Sequence, residues 1–229
     1  MRIAWMLLVC LGIMVIQVPA QKTVTLKTKK DKVSYSIGMN IGHNFKAQSI
    51  DVDLDIVLKG MKDALSDGKL LMTEEEAQTI MNEFQKEMGA KQESKNKQLG
   101  ETNMKEGAAF LAENKKKPGV VTLPSGLQYK ILKEGNGPKP TLTQTFTANY
   151  RGTLINGKEF DSSYKRGEPL TYPVNKVIKG WAEALQMMSV GSKWQLFVPS
   201  ELAYGIHGMG QDIGPNATLI FEIELLSFK

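Results

Sequence analysis

The segment Val177-Ile178-Lys179-Gly180-Trp181-Ala182-Glu183-Ala184-Leu185-Gln186-Met187, followed by Lys193-Trp194-Gln195-Leu196-Phe197-Val198, decides the fold. Its first part has helical spacing, with Trp181, Ala184 and Leu185 on one short helix over 179–187. Its second part alternates, which places Trp194, Leu196 and Val198 on one face of a strand. The alternation continues on either side. Leu127, Tyr129 and Ile131 alternate with Gln128, Lys130 and Leu132; residues 143–154 read as another strand; and 218–226 carries Leu219, Phe221, Ile223 and Leu225 on one side. Antiparallel strands wrapped on one short helix predict an α+β domain over 119–229.

Upstream of Pro118-Gly119 the apolar period becomes helical. A helix is expected over 31–47, where Val33, Ile37, Ile41 and Phe45 form a stripe. Gly38 and Gly42 sit beside that stripe, and each costs about 1 kcal/mol relative to Ala in a helix. Two on one face imply close approach of another helix, either within the monomer or across a subunit interface. A second helix over 53–66 buries Leu54, Val57, Leu58, Met61, Ala64 and Leu65, with Asp51 or Asp53 at its start and Gly68 after its end. A third begins at the capping box Thr73-Glu74-Glu75-Glu76 and carries Ala77, Ile80, Met81, Phe84 and Met88. Strong helix formers persist to about Lys116, a span on the order of 65 Å if the helix is unbroken. Residues 91–103 have little apolar face and read as an exposed helical spacer or a frayed linker, with Gly89, Gly100 and Gly107 as soft points. Short helices bury too little surface to stand alone. Residues 31–88 are therefore expected to form a helical dimerisation domain and 89–118 its connecting helix or linker. The methionines Met39, Met61, Met72, Met81 and Met88 suit an adaptable interface and equally an ordinary core.

The bulk composition, 41% apolar and 23% charged over 229 residues, is that of a soluble globular protein. The net charge of +5 is mild, and its two lysine clusters, at 27–30 and 115–117, accompany no nucleic-acid motif, so no nucleic-acid partner is expected. Residues 1–20 read as a secretory signal peptide: Arg2, then a nearly all-apolar run from Ile3 to Val18, then Val18-Pro19-Ala20. The run is shorter than the roughly 20 residues of a membrane span, so no integral span is expected after cleavage. Residues 21–30 are expected to be a disordered leader. Cys10 lies inside the signal; Val9 before it and the apolar core beyond it argue against lipidation, and cleavage after Ala20 leaves no cysteine.

Several local signatures recur together: Asn149-Tyr150-Arg151-Gly152, Glu159-Phe160-Asp161-Ser162-Ser163, Val177-Ile178-Lys179-Gly180-Trp181, Ala203-Tyr204-Gly205 and 214–221 from Gly214 to Phe221. Their order and spacing resemble the FKBP-type peptidyl-prolyl cis-trans isomerases over about 120–229. Over 31–117 the chain resembles, more loosely, the Mip-like two-domain secreted branch of that family. The resemblance implies an FKBP-like antiparallel sheet around one helix and a rotamase that needs no cofactor and no metal. It implies Trp181 as the pocket floor and Tyr150, Phe160, Tyr172, Val177 and Phe221 as walls. Ile178 would offer its backbone N–H and Tyr204 its hydroxyl to substrate carbonyls. Asp161 would sit at the rim, fixed by Arg166, and Ile213 would belong to a flap over 205–215. Two departures bear on substrate preference and on affinity for macrolide inhibitors such as rapamycin: Leu170 stands where small members carry an aromatic, and the flap tip is the glycine-rich 207–212. His207, alone in that flap, reads as solvated.

The partners implied are proline-containing unfolded or nascent exported polypeptides, a second copy through 31–88, and macrolide inhibitors. The implied location is the periplasm, with outer-membrane association. Two other classes remain: a proline-binding holdase with little turnover, and a structural dimerisation protein with an inactive barrel.

Overall fold

The structure, a computed structural model, describes residues 24–66 and 69–229; the signal segment 1–20 and Gly68 lie outside them. The chain divides into two compact units between Thr73 and Glu74. Among the described residues no helix is long and apolar enough to cross a membrane.

The first unit contains α1 (Lys29–Gln48) and α2 (Leu54–Ala64). Helix α1 starts within the expected leader, because Thr28 and Asp31 form a capping box: the Thr28 hydroxyl accepts from the Asp31 N–H at 3.1 Å and the Asp31 carboxylate from the Thr28 N–H at 2.8 Å. Asp53 caps α2 by accepting from the Asp55 and Ile56 amides. Neither helix buries a residue, contrary to the expected buried face of α2: Leu54, Leu58, Met61 and Leu65 are all exposed. The cause is that these short helices have no core of their own to cover them.

The second unit opens with α3 (Glu74–Asn114), one continuous helix of 41 residues with no break at the polar stretch. Its apolar residues Ile80 and Met81 are exposed in the single chain. Seven strands follow: β1 (Val120–Thr122), β2 (Gln128–Lys133), β3 (Thr145–Leu154), β4 (Glu159–Ser162), β5 (Leu170–Pro173), β6 (Lys193–Val198) and β7 (Leu219–Phe228). They form one antiparallel sheet in the order β1-β2-β6-β7-β3-β4, with β5 pairing the first half of β3. A one-turn helix α4 (Ser163–Arg166) follows β4, and α5 (Lys179–Leu185) lies against the sheet. The alternation of β6 and β7 was legible: Trp194, Leu196, Val198, Leu219, Phe221, Ile223 and Leu225 are all buried. Gly180 permits the close approach of α5, since a Cβ there would lie 2.6 Å from Val198. β2 departs from simple alternation. Gln128 is buried because its side chain reaches α3, accepting from the Asn114 amide at 2.9 Å and donating to the Leu111 carbonyl.

That contact belongs to a seam. Gly100, Asn103, Gly107, Phe110, Leu111 and Asn114 recur every three or four residues, as one face of a helix requires. Along it Asn103 donates to the Pro215 carbonyl at 2.7 Å, Phe110 meets Phe197 at 5.9 Å between centroids, and Gly100 and Gly107 are buried. The expected soft points Gly100 and Gly107 are thus docking points. Small and amide side chains make this face, which is why an apolar count missed it.

Candidate active site

Strands β3 and β4 set the site's polar edge. Gly152 pairs with Asp161 in their register, and the Ser163 hydroxyl, fully buried, accepts from the Tyr150 N–H at 2.9 Å. Tyr150 and Asp161 therefore leave adjacent strands toward the same side, where the Tyr150 hydroxyl donates to Asp161. The Arg166 guanidinium, delivered by α4, donates both to Asp161 and, at 2.9 Å, to the Tyr150 hydroxyl, and lies 5.3 Å from the Tyr150 ring centroid. The Ser162 N–H also donates to the Asp161 carboxylate. Burial, then the bond to Asp161, push the Tyr150 hydroxyl up to about 12, with Arg166 opposing. The Asp161–Arg166 pair is about two-fifths exposed on each side chain, so its energetic worth is under about 1 kcal/mol. Its consequence is geometric: it fixes the carboxylate at a chosen edge.

The apolar part is built from perpendicular rings. Trp181, 4% exposed, meets Tyr150 at 5.1 Å and Phe221 at 5.2 Å, with interplanar angles of 81° and 87°. Phe160 meets Phe221 edge-on at 5.6 Å. Edge-to-face packing of this kind locks ring planes. Gly152 is required for it: a Cβ there would fall 2.7 Å from the Phe160 ring and 2.8 Å from Phe221.

These rings enclose a cavity of about 380 Å³. Of the residues expected at the site, Tyr150, Phe160, Asp161, Leu170, Tyr172, Val177, Ile178, Trp181, Tyr204 and Phe221 line it. Arg166 stands behind Asp161 and Tyr150 rather than at the cavity surface. Ile213 is not a lining residue. It is buried in the core, paired across the flap with Met209, and Met209 takes the lining position instead. Gly208 makes the flap's tight reversal feasible, with φ of 64° and no room for a Cβ beside the Ile213 carbonyl. Ile178 caps α5, and its N–H has no backbone partner among the described residues. Burial, followed by the nearby Asp161 charge, raises the Tyr204 hydroxyl above the ordinary tyrosine value, so it stays a donor. Lys176 and Met209 are lining residues that the motifs did not single out. Lys176 is signalled only by its place beside Val177 and Ile178.

Comparison with known proteins places this geometry. Residues 137–226 match the family model for the FKBP-type peptidyl-prolyl cis-trans isomerase, and residues 30–131 match the domain amino terminal to it. The chain is 50% identical over 210 residues to the outer membrane protein MIP of Legionella longbeachae, covering 92% of this chain and 90% of that protein. The chain belongs to the FKBP-type peptidyl-prolyl cis-trans isomerases. Its activity is isomerisation of X-Pro peptide bonds. It is also 45% identical over 210 residues to the peptidyl-prolyl cis-trans isomerase Mip of Coxiella burnetii, covering 92% of this chain and 91% of that one. Among solved structures, FkpA from Escherichia coli superposes with a TM-score of 0.66 at 34% identity, covering 90% of this FKBP-type chain and 99% of FkpA. The names of these relatives favour the enzyme over a holdase.

Proposed function

We propose that the aromatic cavity is the rotamase site and that the protein accelerates X-Pro isomerisation during folding of exported polypeptides. The single observation that carries this is the cavity itself, an apolar floor and walls with one carboxylate held by Tyr150 and Arg166 at its edge.

Rotation about a peptide bond is opposed by a barrier of about 18–20 kcal/mol, which is the loss of C–N double-bond character. A planar amide is strongly polarised. Twisting it to 90° localises the nitrogen lone pair and makes the carbonyl less polar. A cavity walled by Trp181, Phe160, Tyr172, Val177 and Phe221 solvates the planar form poorly and loses less on the twisted one. The difference between the two lowers the barrier, which is catalysis by differential binding. Ile178 N–H and the Tyr204 hydroxyl, both free of protein partners among the described residues, hold substrate carbonyls flanking the rotating bond. Asp161, immobilised by Arg166, orients the twisted amide at the rim.

The protein works as a homodimer joined through 31–88. Support comes from the unburied faces of α1 and α2 and from Gly38 and Gly42, whose Cβ positions face open space in the single chain. Export to the periplasm and association with the outer membrane follow from the reading of residues 1–20 and the name of the Legionella relative. Macrolide inhibitors would compete for the same cavity.

The test is cis–trans exchange on a proline tetrapeptide by the mature protein, with Asp161→Ala and Trp181→Phe. Loss in both variants at unchanged circular dichroism supports the site. Full activity in both removes the cavity from the mechanism. Sedimentation of residues 24–229 against 97–229 tests the interface: the longer chain is expected to dimerise and the shorter to stay monomeric.

A further inference from the structure

The charge balance at the mouth of the cavity is uneven. Only two of its lining residues carry charge, Asp161 and Lys176. Asp161 is already satisfied, accepting from the Tyr150 hydroxyl, the Arg166 guanidinium and the Ser162 N–H. Lys176 has no ion pair among the described residues. It is exposed, at the end of the turn Val174–Lys176, and the next two residues are Val177 and Ile178. Lys179, also exposed and without an ion pair among the described residues, opens α5 just beyond them. A substrate carbonyl on the Ile178 N–H therefore brings neighbouring substrate side chains past an uncompensated ammonium.

We infer that Lys176 is a specificity-determining residue, which makes this isomerase favour X-Pro sites flanked by an acidic side chain. The inference rests on the cavity being the rotamase site. An ammonium on a flexible stem acts as a point charge, so it selects for charge and tolerates variation in shape. Exposed pairs are weak, so the preference is modest, roughly two- to fivefold in kcat/KM for Glu over the isosteric Gln. Screening at 1 M salt, where the Debye length is about 3 Å, brings the ratio toward one.

The experiment measures exchange by NMR on acetylated, amidated peptides that differ only in Glu, Gln or Leu, placed before or after proline. Wild type, Lys176→Gln and Lys176→Glu are compared at 50 mM and 1 M salt, with Trp181→Phe alongside. The expected result is a Glu/Gln ratio above one for wild type in at least one position, near one for Lys176→Gln, and below one for Lys176→Glu, with the Leu peptide as the uncharged reference in each. A Glu/Gln ratio unchanged by either substitution overturns the inference. If Trp181→Phe lowers turnover in that case, the site stands without it. If Trp181→Phe has no effect on any peptide, the cavity assignment itself fails.

Discussion

Replacing Gly107 by Ala tests whether α3 belongs to the catalytic unit. Two effects oppose each other. Alanine favours the helix by about 1 kcal/mol relative to glycine. A Cβ at 107 would lie 2.3 Å from the Thr218 hydroxyl oxygen and 3.2 Å from its Cβ. Thr218 is β-branched and buried, so it has little freedom to withdraw. Overpacking of this kind costs about 1–3 kcal/mol. The steric term wins, and Gly107→Ala is expected to be neutral to about 2 kcal/mol destabilising. Gly89 of the same helix has nothing within 4 Å of its Cβ position, so Gly89→Ala should stabilise by about 1 kcal/mol. The assay is urea unfolding of residues 24–229 by tryptophan fluorescence, since Trp181 and Trp194 both lie in the core of the sheet domain. Removing the hydroxyl with Thr218→Ala should rescue Gly107→Ala, with a coupling of about 0.5–3 kcal/mol. Equal stabilisation by Gly89→Ala and Gly107→Ala would refute the docked helix.

Other outcomes follow from the site. Gly152→Ala pushes Phe160 and Phe221 off their perpendicular contact and should lower kcat/KM at least tenfold, measured by exchange on a tetrapeptide, with a loss of about 1–3 kcal/mol in stability. Arg166→Ala should reduce kcat/KM several-fold while changing stability by under about 1 kcal/mol, because the exposed pair with Asp161 acts through geometry; equal losses of both would point to a folding role. For pH, the neutral hydroxyls of Tyr150 and Tyr204 are both favoured by the fold. Activity should therefore stay flat through pH 10, where ordinary tyrosines titrate, as a pH–rate profile checks. The stabilising contribution of Tyr150 is present below pH 10 and is lost as pH rises toward its folded value of about 12. A fragment beginning at 119 lacks the α3 seam and should melt below one beginning at 97, by differential scanning calorimetry.

The sequence by itself determined the order of helices followed by strands and the α+β class of the sheet part, and its motifs named most residues that line the cavity. It set its boundary at 118–119, whereas the compact units divide between Thr73 and Glu74 because α3 docks on the sheet. The resemblance to the FKBP-type isomerases, carried by motifs in a fixed order, named Tyr150, Asp161 and Trp181, and the strands and short helix that bear them bring all three to one cavity. Alternation also carried the buried faces of β6 and β7, where every second residue from Trp194 to Val198 and from Leu219 to Leu225 is buried, with Phe197 buried besides. Tertiary structure decided what depends on contacts distant along the chain. The α3 seam uses Gly100, Gly107, Asn103 and Asn114, residues that look polar or weak until Pro215, Thr218 and Gln128 are set against them. Ile213, expected at the site, is buried in the core, and Met209 of the same flap lines the cavity, a choice made by contacts in the folded 205–215 loop and not by local pattern. The apolar stripes of α1 and α2 were legible as sticky faces, but a single copy leaves them uncovered, since hydrophobic periodicity specifies a face to bury and carries no information about what covers it.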